Sequence, residues 1–420
     1  MKGEFMANGP PKVDLIITGD RVIDPSSGLD GPAQIHVTNG KIVSLSEDLS
    51  LQSAGRHIDA TGMIVCPGLI DMHVHVYEWV TNFGLPADDA GVNSGATTII
   101  DQGSAGPWTV GGFKAYVADP AITDVRSFVS ANVAGALMGG MEGIVLHNPG
   151  MMRIDAIVNS ALDYPGFVVG IKSHGEAGGI SHWGTEVLEM AVKAAEESRL
   201  PLYVHTGELF PVDEQNRPVP ASLMEKVLPL LRPGDTVAHV YSNMPDGIMG
   251  PGDKVPAVVR DAYASGIHFD IGYGINFSYR IARSMMEADI LPNTIGSDVH
   301  ADFNCYHDDS KLDYSLCGAI TRLCALGMPL ADVISRATLN PAKVLGEENM
   351  IGTLAPGSRA DITFLEPVEG RWVLSDAEGE VLTVEERFVP ARVFCAGVDI
   401  EPSKRLLRDI WEWENTLAAE

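Results

Sequence analysis

Eight short apolar runs, recurring about every 32 residues and separated by amphipathic stretches, constrain this chain more than any other feature. They are LIDMHVH (69–75), ATTIIDQG (96–103), VRSFVSANV (125–133), FVVGIK (167–172), LYVH (202–205), DTVAH (235–239), GIHFDIG (266–272) and NTIGSD (293–298). The intervening segments 185–198 and 220–231 carry apolar residues at helical spacing, and segment 329–345 follows the last run. Strand and helix alternating over ~250 residues describe a (β/α)8 TIM-type barrel. An open doubly wound sheet is the competing arrangement, but it usually carries a Gly-rich phosphate turn after its first strand. The sequence has none there, so an α/β barrel is expected.

The flanks read differently. Segments 14–19, 34–38 and 41–45 near the start, and ADITFLEP, GRWVL and ARVFCAG between 351 and 398, have strand character and are bounded by Gly, Pro, Asn and Asp. Strands at both ends around a middle of another kind predict that the termini meet in one small β-sandwich domain. The expected division is 1–66 and 351–400 for the two parts of that domain, and 67–350 for the barrel. Residues 401–420 place Leu406, Ile410, Trp413 and Leu417 at helical spacing, with Leu407 and Trp411 beside them. This C-terminal helix buries its stripe on the chain's own barrel or on a second copy in a homo-oligomer.

Composition removes several classes of function. Of 420 residues, 45% are hydrophobic and 20% charged, a globular profile that excludes disorder. Lys and Arg total 29 against 56 Asp and Glu, a net charge of −27 that repels nucleic acid and anionic membrane. The five cysteines are scattered with no C-x-x-C pair, so neither a disulfide framework nor a zinc knuckle is expected. The opening MKGEFMANGPPKVD has no apolar h-region, and no run approaches 18 apolar residues. A cytoplasmic enzyme with a small-molecule substrate fits these features.

In a barrel the active site lies at the C-terminal ends of the strands. Run one ends in His73-Val74-His75, run four in Lys172, run five in His205, run six in His239 and run eight in Asp298. Residues i and i+2 of a strand share a face, so His73 and His75 can reach one ion. Imidazole and carboxylate suit Zn2+, with Mn2+ or Fe2+ fitting the same set. Four histidines and an aspartate exceed what one catalytic zinc needs, which points to two metals. A lysine desolvated at a strand end titrates easily, and as a neutral amine it can take up CO2 to give an anionic carbamate. Each residue alone has an ordinary explanation, as a core histidine, an ion-pair lysine or a capping aspartate. Their shared position at the strand ends carries the metal reading.

These residues sit in motifs that resemble the amidohydrolase superfamily over essentially the whole chain: VCPGLIDMHVH (65–75), VGIK (169–172), YVH (203–205), AHV (238–240), GSDVH (296–300) and IGTLAPGSRADI (351–362). The stretches GVNSGATTIIDQGSAG, FDIGYGINFSYRIA and MPLADVISRATLNPAKVLG look most like the amidohydrolase/deacetylase branch, related to dihydroorotases and hydantoinases. The resemblance implies that His73, His75 and Asp298 bind the more buried metal and that His205 and His239 bind the more exposed one. It further implies that Lys172, as carbamate, bridges the two together with a hydroxide. Asp298 then accepts a proton and returns it to the leaving group. Lys172 weighs against a deaminase, which in this superfamily usually works with one metal.

Three functions follow in order. The first is hydrolysis of an amide or ester, such as an acetyl group on a small carboxylate. The second is ring opening of a cyclic amide. The third is a non-catalytic assembly role. Tyr273 and Asn276 after run seven, with His174 and His300 beside the ligands, are candidate substrate contacts.

Overall fold

The computed structural model describes residues 13–50, 53–137, 144–209, 211–217, 220–249, 254–274, 276–301 and 315–403. In chain order the first strands are β1 (Val13–Asp24), β2 (Leu29–Thr38), β3 (Lys41–Ser46), β4 (Ala54–Asp59) and β5 (Ile64–Pro67). There follow β6 (Leu69–Val74), β7 (Ala96–Gln102), β8 (Asp124–Ser130), β9 (Val168–His174), β10 (Leu202–His205), β11 (Thr236–Val237) and β12 (His268–Phe269). The last are β13 (Ile362–Ser375), β14 (Val381–Cys395) and β15 (Val398–Ile400). The helix expected over 401–420 lies outside the described residues from 404 onward. No described helix is long and apolar enough to cross a membrane.

Strands β6 to β12 form one parallel sheet in sequential order. Its first members are buried at every position, as a sheet covered on both faces demands, and this is why they read as continuous apolar runs. The sheet curls until both edges meet the segment after β12. Asp270 bridges Thr294 on one side, and Val74 bridges Val299 on the other. Backbone hydrogen bonds from Asn293 to Phe269, Asp298 to His73 and His75 to Val299 accompany these bridges.

The expected strands at 235–239 and 266–272 shorten to β11 and β12, and 293–298 is held by isolated bridges only. The reason is local. His239 has φ 63°, Gly272 φ 44° and Asp298 φ 53°, so each run leaves the extended region where it reaches the site.

The second sheet runs β15-β14-β13-β5-β1-β2-β3, with β4 on β1. It draws on both ends of the chain through the antiparallel pairing of β5 with β13, Cys66 opposite Thr363. Ile17, Ile35, Ile58, Val65, Ile362 and Phe364 form its core. Two expectations are corrected here. ADITFLEP and GRWVL are one strand, because Pro367 pairs opposite Phe388 and Gly370 falls within a bulge between Glu369 and Trp372. Beyond Leu365, β13 has only β14 beside it, and an edge tolerates a proline. Conversely, 329–345 is two helices, Leu330–Arg336 and Leu339–Val344. Pro341 has no N–H to offer the carbonyl of Ala337, which accepts from Ile70 instead. Helix 220–231 likewise ends at Val227 and continues as a short 3-10 turn, Leu228–Leu230, whose second residue is Pro229.

Candidate metal centre

The strand ends bring His73, His75, Lys172, His205, His239 and Asp298 to the wall of one cavity. His73 Nε2 lies 3.3 Å from His75 Nε2 and 3.2 Å from Asp298 Oδ1, and His75 Nε2 is 3.5 Å from the same oxygen. These donor atoms can all meet a single ion. The rings of His205 and His239 stand 4.4 Å apart, and that of His239 is 5.3 Å from His73. The six residues therefore form a trio and a pair, with the Lys172 amine above the Tyr203 ring at 4.6 Å.

Backbone geometry explains how they converge. His239 and Asp298 both occupy the left-handed region, which for non-glycine residues is sparsely populated and collects at functional sites. Glycines make the approach feasible: a Cβ at Gly272 would come within 2.5 Å of the His239 ring, and one at Gly274 within 2.8 Å of the Asp298 carboxylate. The outward nitrogens are held. His75 Nδ1 meets Ser104 Oγ at 3.0 Å, and His239 Nδ1 meets the Gly272 carbonyl at 2.9 Å. Asp71 accepts from the backbone of His73 and Ser297, and Asp101 from that of Val76 and Ser104, pinning the ligand-bearing turns.

What faces the cavity is not held. Lys172 Nζ, His205 Nε2 and His239 Nε2 are buried without a hydrogen-bond partner. Each such group costs about 1–3 kcal/mol unless something else satisfies it. Burial also sets the charge states. It drives His73, His174 and His205 well below the usual imidazole value and His239 down to about 4, leaving neutral rings. Burial brings Lys172 down to about 7, against the opposing pull of Asp298, Asp270 and Asp101. Burial by itself raises Asp298, but its bond to His75 and the charges of His239 and His300 outweigh it and hold the carboxyl at about 2. Neutral imidazoles, an available amine and an ionised carboxylate make a donor set suited to divalent cations, so these residues fit the metals their pattern implies.

The candidate substrate contacts divide. His174, Asn276 and His300 line the same cavity, whereas Tyr273 is buried in the core against Phe277 and the Arg322 guanidinium. Tyr273 is therefore withdrawn from the substrate contacts. It lies between two glycines of positive φ, Gly272 and Gly274, and is not among the residues that line the cavity. Sequence reasoning missed Asp71, Asp101, Asp270 and Tyr203, all fully buried beside the ligands. Their signal was a carboxylate or phenol inside an apolar run, where burial demands a partner.

Comparison with known proteins gives this arrangement a class. Residues 280–399 match the model of the Amidohydrolase family. Over that segment the chain is similar to the amidohydrolases, and the relatives it matches along most of its length, deacetylases and dihydroorotases, are hydrolases. It is 26% identical over 371 residues to a deacetylase of Agrobacterium fabrum, covering 88% of this chain and 87% of that one. It is 28% identical over 407 residues to a dihydroorotase of Geobacter metallireducens, covering 84% and 90%. Among solved structures, an adenine deaminase superposes with a TM-score of 0.79 at 25% identity over 93% of this chain and all of that one (100%).

Proposed function

We propose that the protein is a binuclear metal-dependent hydrolase that cleaves an amide or ester bond, as a deacetylase does, in a small carboxylate-bearing substrate. The observation that carries this reading is the buried cavity on which six potential metal ligands converge, three of them with a buried nitrogen that has no hydrogen-bond partner. We read the curled sheet as a (β/α)8 barrel over 67–350, with residues 294–299 as its eighth strand. The second sheet is then a small β-sandwich domain made from 1–66 and 351–400.

In this proposal His73, His75 and Asp298 hold one divalent ion, and His205 and His239 the other. Lys172 serves both as a carbamate, for which a buried amine without an acidic partner is the suitable precursor. Two bound cations, Zn2+ or else Mn2+ or Fe2+, would supply an acidified water and a polarised carbonyl. Asp298 takes the proton of the attacking water and delivers it to the departing amine or alkoxide. His174, His300 and Asn276 hold the substrate's carboxylate from the cavity wall. The thiols of Cys66, Cys317, Cys324 and Cys395, which form no disulfide among the described residues, suit a reducing, cytoplasmic location.

The likeness to a dihydroorotase supports a second reading, opening of a cyclic amide at the same centre. One screen separates the two. Metal-replete enzyme is offered N-acetyl amino acids and O-acetyl hydroxy acids of both hands, dihydroorotate, substituted hydantoins and adenine. Stereoselective acetate release is the expected result. Ring opening without acetate moves the protein to the cyclic amidases, and ammonia from adenine alone overturns both readings.

A further inference from the structure

Leu146, Leu209 and Met244 line the cavity but have no part in the chemistry above. They come from the segments that follow β8, β10 and β11, and each is half-buried, so part of its apolar surface is left to the cavity. Leu209 lies four residues beyond His205 and Met244 five beyond His239. Leu146 precedes His147, whose ring stands 4.9 Å from that of His174, itself 5.4 Å from the His205 ring. The three therefore belong to the part of the wall that carries the His205–His239 pair.

A buried carboxylate ties their segments together. Glu176 is fully buried and caps the helix Ala177–Trp183, accepting from Gly178 N at 3.3 Å and Gly179 N at 3.1 Å. Its Oε2 also accepts from Leu209 N at 3.2 Å, and its Oε1 lies 2.9 Å from Nε2 of the buried His147, the neighbour of Leu146. One side chain thus joins the segments that carry Leu146 and Leu209. Met244 is brought against the second of these, since a Cβ at Gly207 would lie 2.7 Å from that of Met244. Arg217 completes the link, pairing with Glu208 at 2.7 Å and Asp246 at 2.6 Å. A carboxylate persists in such a place only where partners like these satisfy it, so the glutamate and the wall depend on each other.

Binding cavities combine a few polar groups that fix orientation with apolar side chains that take up the rest of the ligand. We propose that Leu146, Leu209 and Met244 form a subsite for an uncharged, apolar group of the substrate, an aliphatic or aromatic side chain beside its carboxylate, and that Glu176 is the positioning residue that assembles this subsite. The inference rests on the hydrolase reading above and deepens it by naming the substrate class. A charged group placed there would lose its hydration and meet no counter-charge on these three side chains.

The test is a side-chain series on metal-replete, full-length protein: N-acetyl derivatives of glycine, alanine, leucine and aspartate, and hydantoins bearing the same substituents. In whichever series is turned over, kcat/KM should rise at least about 10-fold from the unsubstituted compound to the isobutyl one, and the acidic compound should be the poorest. Leu209→Ala and Met244→Ala should each lower the isobutyl-to-unsubstituted ratio. Glu176→Gln sets an amide against the backbone donors and should lower the same ratio through KM more than through kcat. A glutamate with a structural role alone would lower Tm and leave the ratio where it was, which overturns its assignment. A wild-type ratio near one, a preference for the aspartate compound, or a ratio unchanged in both alanine variants overturns the subsite and leaves the hydrolase reading standing. If neither series is turned over, both hydrolytic readings fail, and equilibrium dialysis of the same compounds decides the subsite. Tighter binding of the leucine derivative than of the glycine one, weakened in Leu209→Ala, supports it, and equal binding overturns it as well.

Discussion

Among the described residues, a half-buried cluster of ionisable groups and the buried candidate metal centre treat their charges in opposite ways. Where the second sheet meets the parallel one, Arg126 pairs with Asp124 at 2.6 Å and Glu347 at 3.0 Å. Arg359 joins Asp124, Asp361 and the Thr98 hydroxyl, and Asp361 also accepts from Ala396 N at 2.7 Å. Every carboxylate there has an internal partner. At the candidate metal centre the outer atoms are equally well held, but Lys172 Nζ, His205 Nε2 and His239 Nε2 have no hydrogen-bond partner. A closed network holds a junction together. One left open on a single side is organised for something that is not part of the chain.

Breaking the open cluster should have the larger consequences. Lys172→Ala removes the proposed bridge, so metal content measured by elemental analysis should fall with activity. Affinity should drop by more than the roughly 10–100-fold that an outer-shell partner contributes, and short carboxylic acids should restore part of it. Full occupancy without rescue contradicts the carbamate. Asp298→Asn should lower kcat by roughly 10²–10⁴-fold, the usual scale of general acid–base catalysis, while much of the metal remains. Near-normal turnover removes the proton-transfer role. Chelation of the wild type should lower Tm as well as activity, since an ion present at 100 times its Kd stabilises the fold by about 2.7 kcal/mol.

Breaking the closed cluster sharpens the contrast from the other side. Arg359→Met strands Asp361, which is 2% exposed, and should cost up to about 3 kcal/mol in denaturant unfolding with metal content unchanged. Loss of metal in that variant would show that the clusters are not independent. The smallest effect concerns pH. Burial raises Asp124, but Arg126 and Arg359 outweigh it and hold its carboxyl below the ordinary value. Its contribution is complete above the unfolded carboxylate range and disappears as pH falls through the folded value. The stability deficit of Asp124→Asn should therefore shrink on acidification, and a deficit that is constant with pH contradicts this assignment.

The same contrast explains what the sequence made legible. His73, His75, Lys172, His205, His239 and Asp298 stood out because each ends an apolar run, and a strand-end position follows from local pattern alone. Arg359 and Asp124 are 235 residues apart, and nothing local in either announces the other. Tyr203 and Asp270 were visible as letters within LYVH and GIHFDIG, yet their place beside the ligands depends on which strands become neighbours across the sheet. Tyr273 and Asn276 looked equivalent in sequence. One positive-φ glycine on each side of the tyrosine sends it into the core, while the asparagine reaches the cavity. The β13 strand was cut in two because Pro367 and Gly370 mark turns in most chains, whereas here they lie on an edge.

The central claim is that the open cluster holds two divalent cations. Its most direct test is the metal stoichiometry of wild-type protein loaded in bicarbonate buffer, set beside that of His239→Ala. The account predicts two ions per chain in the wild type and one in the variant. Protein that binds no ion, or one ion in both, would contradict it.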